Sequence, residues 1–538
     1  MAGERESWGS RLGVVLAVAG SAVGLGNFLR FPVQAARNGG GAFMIPYFIA
    51  FLLLGIPLSW IEWTIGRIGG RYGHGTAPGA LDAIVKRGWA KYLGVLGLMG
   101  PIIIMIYYTY IESWTLAYSV FSLIGKYSTA TDQASMQQFL RGFQGVTKNQ
   151  YFSSLAPALF FFTITLLLNL LIVYYGIRRG IERLCKIGMP ILLLFGIILL
   201  VRVITLRSPN PLVPNQNPTA GFGFLWNPNF ERLRDARVWL AAAGQIFFTL
   251  SVGIGVILTY ASYLRDTDDI PLSALSSAST NEFAEVILGG SIVIPAAFVF
   301  FGPGQIQSVA QSGAFNLGFV TMPLIFTKLP WGSLFGFLWF ALLFIAGITS
   351  SISLLQPALA FLQDDYGFSR KKAVVVLGLF LFAAALPNII FLPHGFLDEF
   401  DFWGGTFALV LFGTVESIVF AWVLGMEKGW NEIHKGCSIR IPKIFKFIIK
   451  YITPAYLLVI LGFWFYQSAI PTIFFKGVSK ADIPYMLAAR ILIFGIVVIM
   501  IFMIHHAWKR RVKPLHTTIA EGNNVKINNT RPGGEKCE

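Results

Sequence analysis

Gly20-Ser21-Ala22-Val23-Gly24-Leu25-Gly26-Asn27 interrupts an otherwise apolar run near the start of the chain, and the reading of this stretch decides the fold. Each glycine weakens a helix by about 1 kcal/mol relative to alanine, so a helix crossing the stretch comes apart there. Close packing of helices through small residues is the competing explanation. Polar Asn27 beside the glycines, with Arg30-Phe31-Pro32 just beyond, favours a break. The sixth apolar run repeats the device in Phe248-Thr249-Leu250-Ser251-Val252-Gly253-Ile254-Gly255. Matching interruptions in corresponding runs predict two repeats of five helices. Non-helical backbone at membrane depth is tolerated only where protein or a water-filled cavity covers it, so the paired breaks predict a central site. Half-helix N-termini suit a carboxylate and unwound carbonyls suit a small cation. The ligands so described are a zwitterion and a metal ion.

Composition supports a membrane setting. The 538 residues are 55% hydrophobic and 13% charged, whereas soluble chains carry about 25% charged residues. A span needs about 20 residues to cross a hydrocarbon core of roughly 30 Å. Apolar runs between charged and Pro/Gly boundaries place twelve spans near 12–36, 42–68, 90–123, 152–176, 184–205, 238–264, 272–301, 331–363, 371–391, 395–424, 448–470 and 483–507. The first run follows Glu4-Arg5-Glu6 and lacks a small-residue cleavage site, so it reads as a retained span. The chain divides into an N-terminal segment 1–11, a first five-helix repeat 12–205, an outer loop 206–237, a second repeat 238–424, the last two helices with their preceding loop 425–507, and a tail 508–538.

The net charge of +16 does not point to nucleic acid, because the cations lie in short loops between apolar runs. Roughly 28 of the 42 Lys and Arg fall on the side of the two termini, which makes that side cytoplasmic. Lys509-Arg510-Arg511-Lys513 reads as a stop-transfer flank, and the glycosylation acceptor Asn528-Asn529-Thr530 then lies in the cytoplasmic tail. Cys185, Cys437 and Cys537 form neither a disulfide framework nor a CxxC site. No histidine spacing resembles a transition-metal site, and no phosphate-binding Gly-x-x-x-x-Gly-Lys-Ser/Thr loop is present, so an ion gradient must supply the energy.

Ionisable groups inside spans cost about 2.5–3.5 kcal/mol on insertion scales, so each is a candidate functional residue. Asn281-Glu282-x-x-Glu285 in the seventh run offers a neutral oxygen for a hard cation and a fixed negative charge. Hydrogen bonding between helices explains Glu282 equally well. The run Ala346-Gly347-Ile348-Thr349-Ser350-Ser351 offers hydroxyls that either bind a cation or bond back to their own helix.

Arg11-Leu12-Gly13 followed by Ala22-Val23-Gly24-Leu25-Gly26-Asn27-Phe28-Leu29-Arg30-Phe31-Pro32 resembles the first-helix signature of the neurotransmitter:sodium symporters. Asn38-Gly39-Gly40-Gly41-Ala42-Phe43, Ile111-Glu112-Ser113-Trp114, Gly244-Gln245-Ile246-Phe247-Phe248-Thr249-Leu250-Ser251 and Asp401-Phe402-Trp403 extend the likeness over nearly the whole chain, toward the bacterial leucine-transporter branch. The resemblance implies an all-α membrane protein of twelve helices in two inverted five-helix repeats, alternating access, and sodium-coupled uptake of amino acids; it implies a transporter and not an enzyme. One sodium site would use Ala22, Asn27, Thr249 and Asn281 with the substrate carboxylate. A second would use Gly20, Val23 and Ala346 carbonyls with the Thr349 and Ser350 hydroxyls. The substrate would meet Ser21, Ala22, Gly26, Ile104, Tyr108, Phe248, Thr249, Ser251, Ile254, Ser350 and Leu354, with Tyr108 bonding its carboxylate and Phe248 as a lid. Arg30 with Asp401 would form the outer gate; Arg5 and Asp364, with Trp8, Ser262 and Tyr263, would form the inner one.

Departures from that branch sit in the side-chain cup, where this chain has Ser21 for asparagine, Ile104 for valine, Ile254 for phenylalanine and Leu354 for isoleucine. A methylene discriminates by about 1–3 kcal/mol, so the expected substrates are neutral, mainly aliphatic amino acids. Glu285 stands where chloride-dependent relatives carry serine, which implies transport without a chloride requirement. The alternatives are a proton-coupled or weakly coupled transporter of small amines, disfavoured by Gly24 where amine carriers have an acid, and a non-transporting amino-acid receptor. The lipid bilayer is the expected surrounding, in a prokaryotic inner membrane, and a homodimer is a permitted assembly.

Overall fold

The computed structural model describes residues 6–208, 213 and 215–521, with side chains to 510. Among the described residues, ten helices are long and apolar enough to span a membrane: Gly41–Arg71, Ala90–Leu123, Ala156–Tyr174, Ile177–Ile204, Ile270–Phe301, Gly332–Asp364, Arg370–Ile390, Phe396–Ile433, Ile444–Ile473 and Ile483–Arg510. Two broken spans bring the number to twelve. The first consists of Arg11–Ala22 and Leu25–Arg37, bent by 48°. The sixth consists of Ala236–Leu250 and Val256–Ala261. Both breaks fall where the glycine clusters predict them.

The first break is built from extended backbone at Val23 (ψ 92°) and Gly24 (φ −122°, ψ −165°). Every helix end leaves amides or carbonyls without an intrahelical partner, and here side chains of span one itself and of other spans supply the partners. The Gly24 amide donates to Asn27 Oδ1 at 2.9 Å and the Leu25 amide to the Tyr108 hydroxyl at 3.2 Å. The Ser21 carbonyl accepts from Ser350 at 2.9 Å and from Ser251 at 3.1 Å. In the sixth span Ser251, Gly253 and Gly255 adopt positive φ of 55°, 73° and 85°. Gly253 and Gly255 also permit close backbone approach, since an added Cβ would lie 2.3 Å from the Leu409 and Gly97 carbonyl oxygens respectively. The freed Gly253 amide donates to Glu62 on the second span.

Spans three, seven and eight are largely enclosed, while four, five, eleven and twelve turn much of their surface outward. The first half of span one packs on the first part of span seven, and the first half of span six packs on the first part of span two. This exchange of partners is what an inverted relation between two five-helix units produces.

The structure departs from the sequence expectations in four places. Residues between spans seven and eight form a hairpin, Pro303–Gln311 and Ala314–Thr327, bent by 118°. At 1.5 Å per residue its arms are about 14 and 21 Å long, too short to cross. It caps the second half of span one, where Arg37 donates to the Ala310 carbonyl at 2.9 Å. The tenth span continues past its expected end to Ile433, and the last helix continues to Glu521, into the segment read as a tail. The outer loop 206–237 carries a short helix, Pro218–Trp226, capped by Asn217, which accepts from the Ala220 amide at 2.9 Å.

Candidate functional site at the paired helix breaks

Asn27 from span one, Thr249 from span six and Asn281 from span seven meet in one hydrogen-bonded triangle. Asn27 Nδ2 lies 2.8 Å from Asn281 Oδ1 and 3.3 Å from Thr249 Oγ1, and Asn281 Nδ2 lies 2.9 Å from Thr249 Oγ1. All three are buried. Thr249 also donates to Glu285, whose other oxygen accepts from Gln245 at 2.9 Å and Tyr47 at 3.0 Å. Tyr47 Oη lies 2.8 Å from Glu282 as well, the interhelical bonding considered for that residue. Glu285 sits in a widened π turn, Phe283–Gly290, a geometry that aims side chains off the regular helical face.

Beside this cluster lies a cavity of about 50 Å³. Of the residues expected around the substrate, Ser21, Ala22, Gly26, Ile104, Tyr108, Phe248, Ser251, Ile254, Ser350 and Leu354 line it. Thr249 faces the Asn27–Asn281 triangle instead. Further side chains on the lining, Leu25, Tyr107, Ser353 and Leu409, were not expected. Ser353 Oγ lies 2.7 Å from Ser21 Oγ.

Of the second cation set, Ser350 reaches across to span one, 3.3 Å from the Gly20 carbonyl. Thr349 bonds back to its own helix, 2.9 Å from the Ile345 carbonyl and 3.2 Å from that of Ala346. It nonetheless faces the break, since a Cβ on Gly20 would lie 3.2 Å from Thr349 Cβ. The adjoining Val23 is fully buried.

The outer-gate residues take partners other than each other. The Arg30 guanidinium stacks 4.2 Å over the Phe248 ring, and Asp401 accepts from the Tyr107 hydroxyl at 2.7 Å. Among the described residues no ion pair joins Arg30 to Asp401, so the expected charged pair is replaced by a cation–aromatic contact and a hydrogen bond. Phe248 closes against Gly26, where an added Cβ would lie 2.4 Å from the ring. Above it opens a vestibule of about 200 Å³ between Arg30, Gln34, Phe247, Thr406, Trp464 and Gln467.

On the side of the termini the chain is shut. Trp8 is buried against span six, with its indole N–H donating to the Tyr260 carbonyl at 3.0 Å, and Tyr263 accepts from Gln356 at 2.9 Å. Ser262 donates within its own helix to Thr259, and Asp364 ends span eight. Arg5, Cys537 and the Asn528-Asn529-Thr530 acceptor lie outside the described residues.

Sequence reading missed the groups that hold Glu285, Tyr47 and Gln245, and also Glu62 and Glu416, buried glutamates inside spans two and ten. The rule that flags intramembrane carboxylates reaches the last two directly. Tyr47 and Gln245 carry no such signal, because only the packing of spans two, six and seven brings them to one carboxylate.

The family model for the sodium:neurotransmitter symporter family matches residues 5–134 and 125–510. The chain belongs to this family. A sodium-dependent transporter of Methanocaldococcus jannaschii is 32% identical over 459 residues, covering 84% of this chain and 88% of that protein. The human sodium- and chloride-dependent GABA transporter 2 is 26% identical over 500 residues, covering 84% of this chain and 78% of the relative. Among solved structures, MhsT in complex with L-phenylalanine superposes with a TM-score of 0.72 at 30% identity, covering 85% of this chain and 99% of MhsT. The symporter is therefore an integral membrane protein of the twelve-helix fold and a sodium-dependent transporter, not an enzyme.

Proposed function

We propose that this symporter couples sodium entry to uptake of neutral, mainly aliphatic amino acids by alternating access, without a chloride requirement and with both termini in the cytoplasm. The observation that carries the reading is the meeting of the Asn27–Thr249–Asn281 triangle with the unwound backbone and the Tyr108 hydroxyl at one cavity. Amide and hydroxyl oxygens with no sulfur or imidazole suit a hard alkali cation. The N-terminus of the second half of span one and Tyr108 offer donors to a carboxylate, whose oxygen is then a sodium ligand as well. Substrate and sodium would each raise the other's affinity by the same factor. Thr349 and Ser350 with the Gly20, Val23 and Ala346 carbonyls would hold a second sodium.

Ile104, Ile254 and Leu354 give the rest of the cavity an apolar character that favours an aliphatic side chain, and the L-phenylalanine bound to MhsT supports the amino-acid class. An amine carrier would need an acid near Gly24. A Cβ there would lie 2.8 Å from Ser350 Oγ and 3.1 Å from the Tyr108 hydroxyl, so an acid at this position would have to displace those two side chains. Glu285, one side chain removed from the triangle, supplies the fixed negative charge that a chloride ion would otherwise provide.

Uptake of labelled leucine and alanine into proteoliposomes tests the reading. The expected result is accumulation that needs inward sodium, fails when potassium replaces it, and persists when gluconate replaces chloride. Equal accumulation without sodium would overturn the coupling. Glu285→Ser is expected to make uptake chloride-dependent; equal uptake by that variant with and without chloride would remove Glu285 from the role.

A further inference from the structure

We propose that the cleft between the N-terminal segment and the start of span five binds the headgroup of an anionic phospholipid. The cleft measures about 750 Å³ and is lined by Arg178, Arg179, Arg183 and Lys186, with Gly9 on its far wall. Its one carboxylate, Glu182, is already engaged by the Gly9 amide at 2.7 Å, the Ser10 hydroxyl at 3.0 Å and Lys186 at 2.6 Å. Nearby Glu6 is engaged by the Ile177 amide at 3.0 Å and Arg370 at 3.1 Å. Among the described residues Arg178, Arg179 and Arg183 make no ion pair. Three guanidiniums with free donor forks converging on one concavity match a phosphodiester, which they can hold bidentately.

Setting topology requires only that cations be numerous on one side, and scattered exposed residues would satisfy that. Convergence on a cleft is a further property. The cleft opens where the lipid-facing surface begins, for the same helix next exposes Ile187, Ile191 and Leu194, at 54%, 36% and 54%. Exposed Tyr174 and Tyr175 mark the interface at its rim. A phosphate held by the arginines would have acyl chains lying along that apolar column, which favours a lipid over a soluble anion. Basic pockets between helices on a cytoplasmic face bind such headgroups.

The location gives the lipid a consequence. Gly9 forms part of the wall, and an added Cβ there would lie 2.9 Å from Arg178 Nε. One residue earlier, Trp8 plugs the terminal side against span six. A headgroup in the cleft therefore braces the plug in its closed position.

The full chain in phosphatidylcholine nanodiscs carrying trace spin-labelled phosphatidylglycerol or spin-labelled phosphatidylcholine tests this. Electron paramagnetic resonance is expected to show a larger motionally restricted fraction for phosphatidylglycerol. Replacing Arg178, Arg179 and Arg183 together by Gln is expected to lower that preference about fivefold or more. The triple Lys variant, which keeps the charge and loses the bidentate fork, is expected to retain only part of it, and Lys86→Gln with Arg87→Gln on the same face leaves it intact. Backbone hydrogen exchange over residues 6–10 should slow when phosphatidylglycerol is added to the native chain and not to the triple Gln variant. Equal restriction of both lipids, or a preference that survives the triple Gln change, would overturn the proposal. Displacement of the labelled lipid by inorganic phosphate would overturn it in favour of a soluble anion. None of these readouts depends on transport.

Discussion

The two faces of the symporter are closed by different physics. On the face of the termini, closure is deep and charged: Arg67 is buried and bonds Glu432 at 3.2 Å and the Asp268 carbonyl at 2.9 Å. Arg71 joins Asp266 and Glu432, both at 2.7 Å, and Arg11 meets Asp269 at 3.1 Å. The Trp8 plug adds a buried aromatic. On the other face the barrier is one ring, Phe248, with Arg30 stacked on it and a single hydrogen bond from Tyr107 to Asp401 beside it, and an open vestibule reaches that ring. The many contacts of one face and the few of the other show which closure is cheaper to undo. The structure is poised to admit ligand past Phe248 while the terminal side stays shut.

The largest effect is expected from Trp8→Ala. Truncating a buried tryptophan costs about 3–5 kcal/mol, which is more than about 100-fold in the opening equilibrium of the terminal face. Buried Cys185, whose Sγ lies beneath the break at Gly20, reports it. With Cys437→Ser and Cys537→Ser as background, its alkylation by a membrane-impermeant maleimide should accelerate by about that factor. An unchanged rate would mean the N-terminal segment is not the plug. Next comes Tyr107→Phe, which removes a hydrogen bond to a carboxylate worth about 1.5–3 kcal/mol. Release of bound substrate toward the vestibule should quicken roughly tenfold or more; a release rate equal to that of the unaltered chain would show Asp401 is held by something else.

Smallest is the response to acid. The hydrogen bond from Arg71 holds Asp266 below its ordinary value. Burial alone would raise Asp269, yet the Leu272 amide, Ser438 and Arg11 bring it below its own. For a carboxylate depressed in the folded state, stability is present above the unfolded value, about 3.9, and is lost as pH falls through the folded one. Below about pH 4 hydrogen exchange in the loop 264–269 should therefore rise before exchange around Phe248 does. The reverse order would dissolve the contrast between the faces.

Much of the site was legible because backbone propensity announced it. Glycines clustered inside apolar runs mark the breaks that carry Asn27 and Thr249, and the cost of a polar group inside a span marks Asn281, but their grouping into one ligand set was implied only by the resemblance to the symporter family. The outer gate was less legible. Arg30 and Asp401 have opposite charges, which suggests a pair, but ring geometry and a neighbouring hydroxyl compete for them, and sequence carries no information on that competition. The hairpin 303–327 was invisible for a related reason: its apolar Leu317–Met322 stretch fits a buried loop as well as a span, and only its docking on Leu29 and Arg37 decides.

Sequence by itself determined the membrane setting, the twelve spans, the two breaks and the oxygen-rich residues beside them, because hydropathy, helix propensity and the cost of buried polar groups act locally along the chain. Tertiary structure alone decided which donors hold Glu285, which side chains crowd Gly24, how small the cavity is, and which face is barred by a plug and which by a single ring. Those depend on distances between residues far apart in the chain, fixed only when the helices pack.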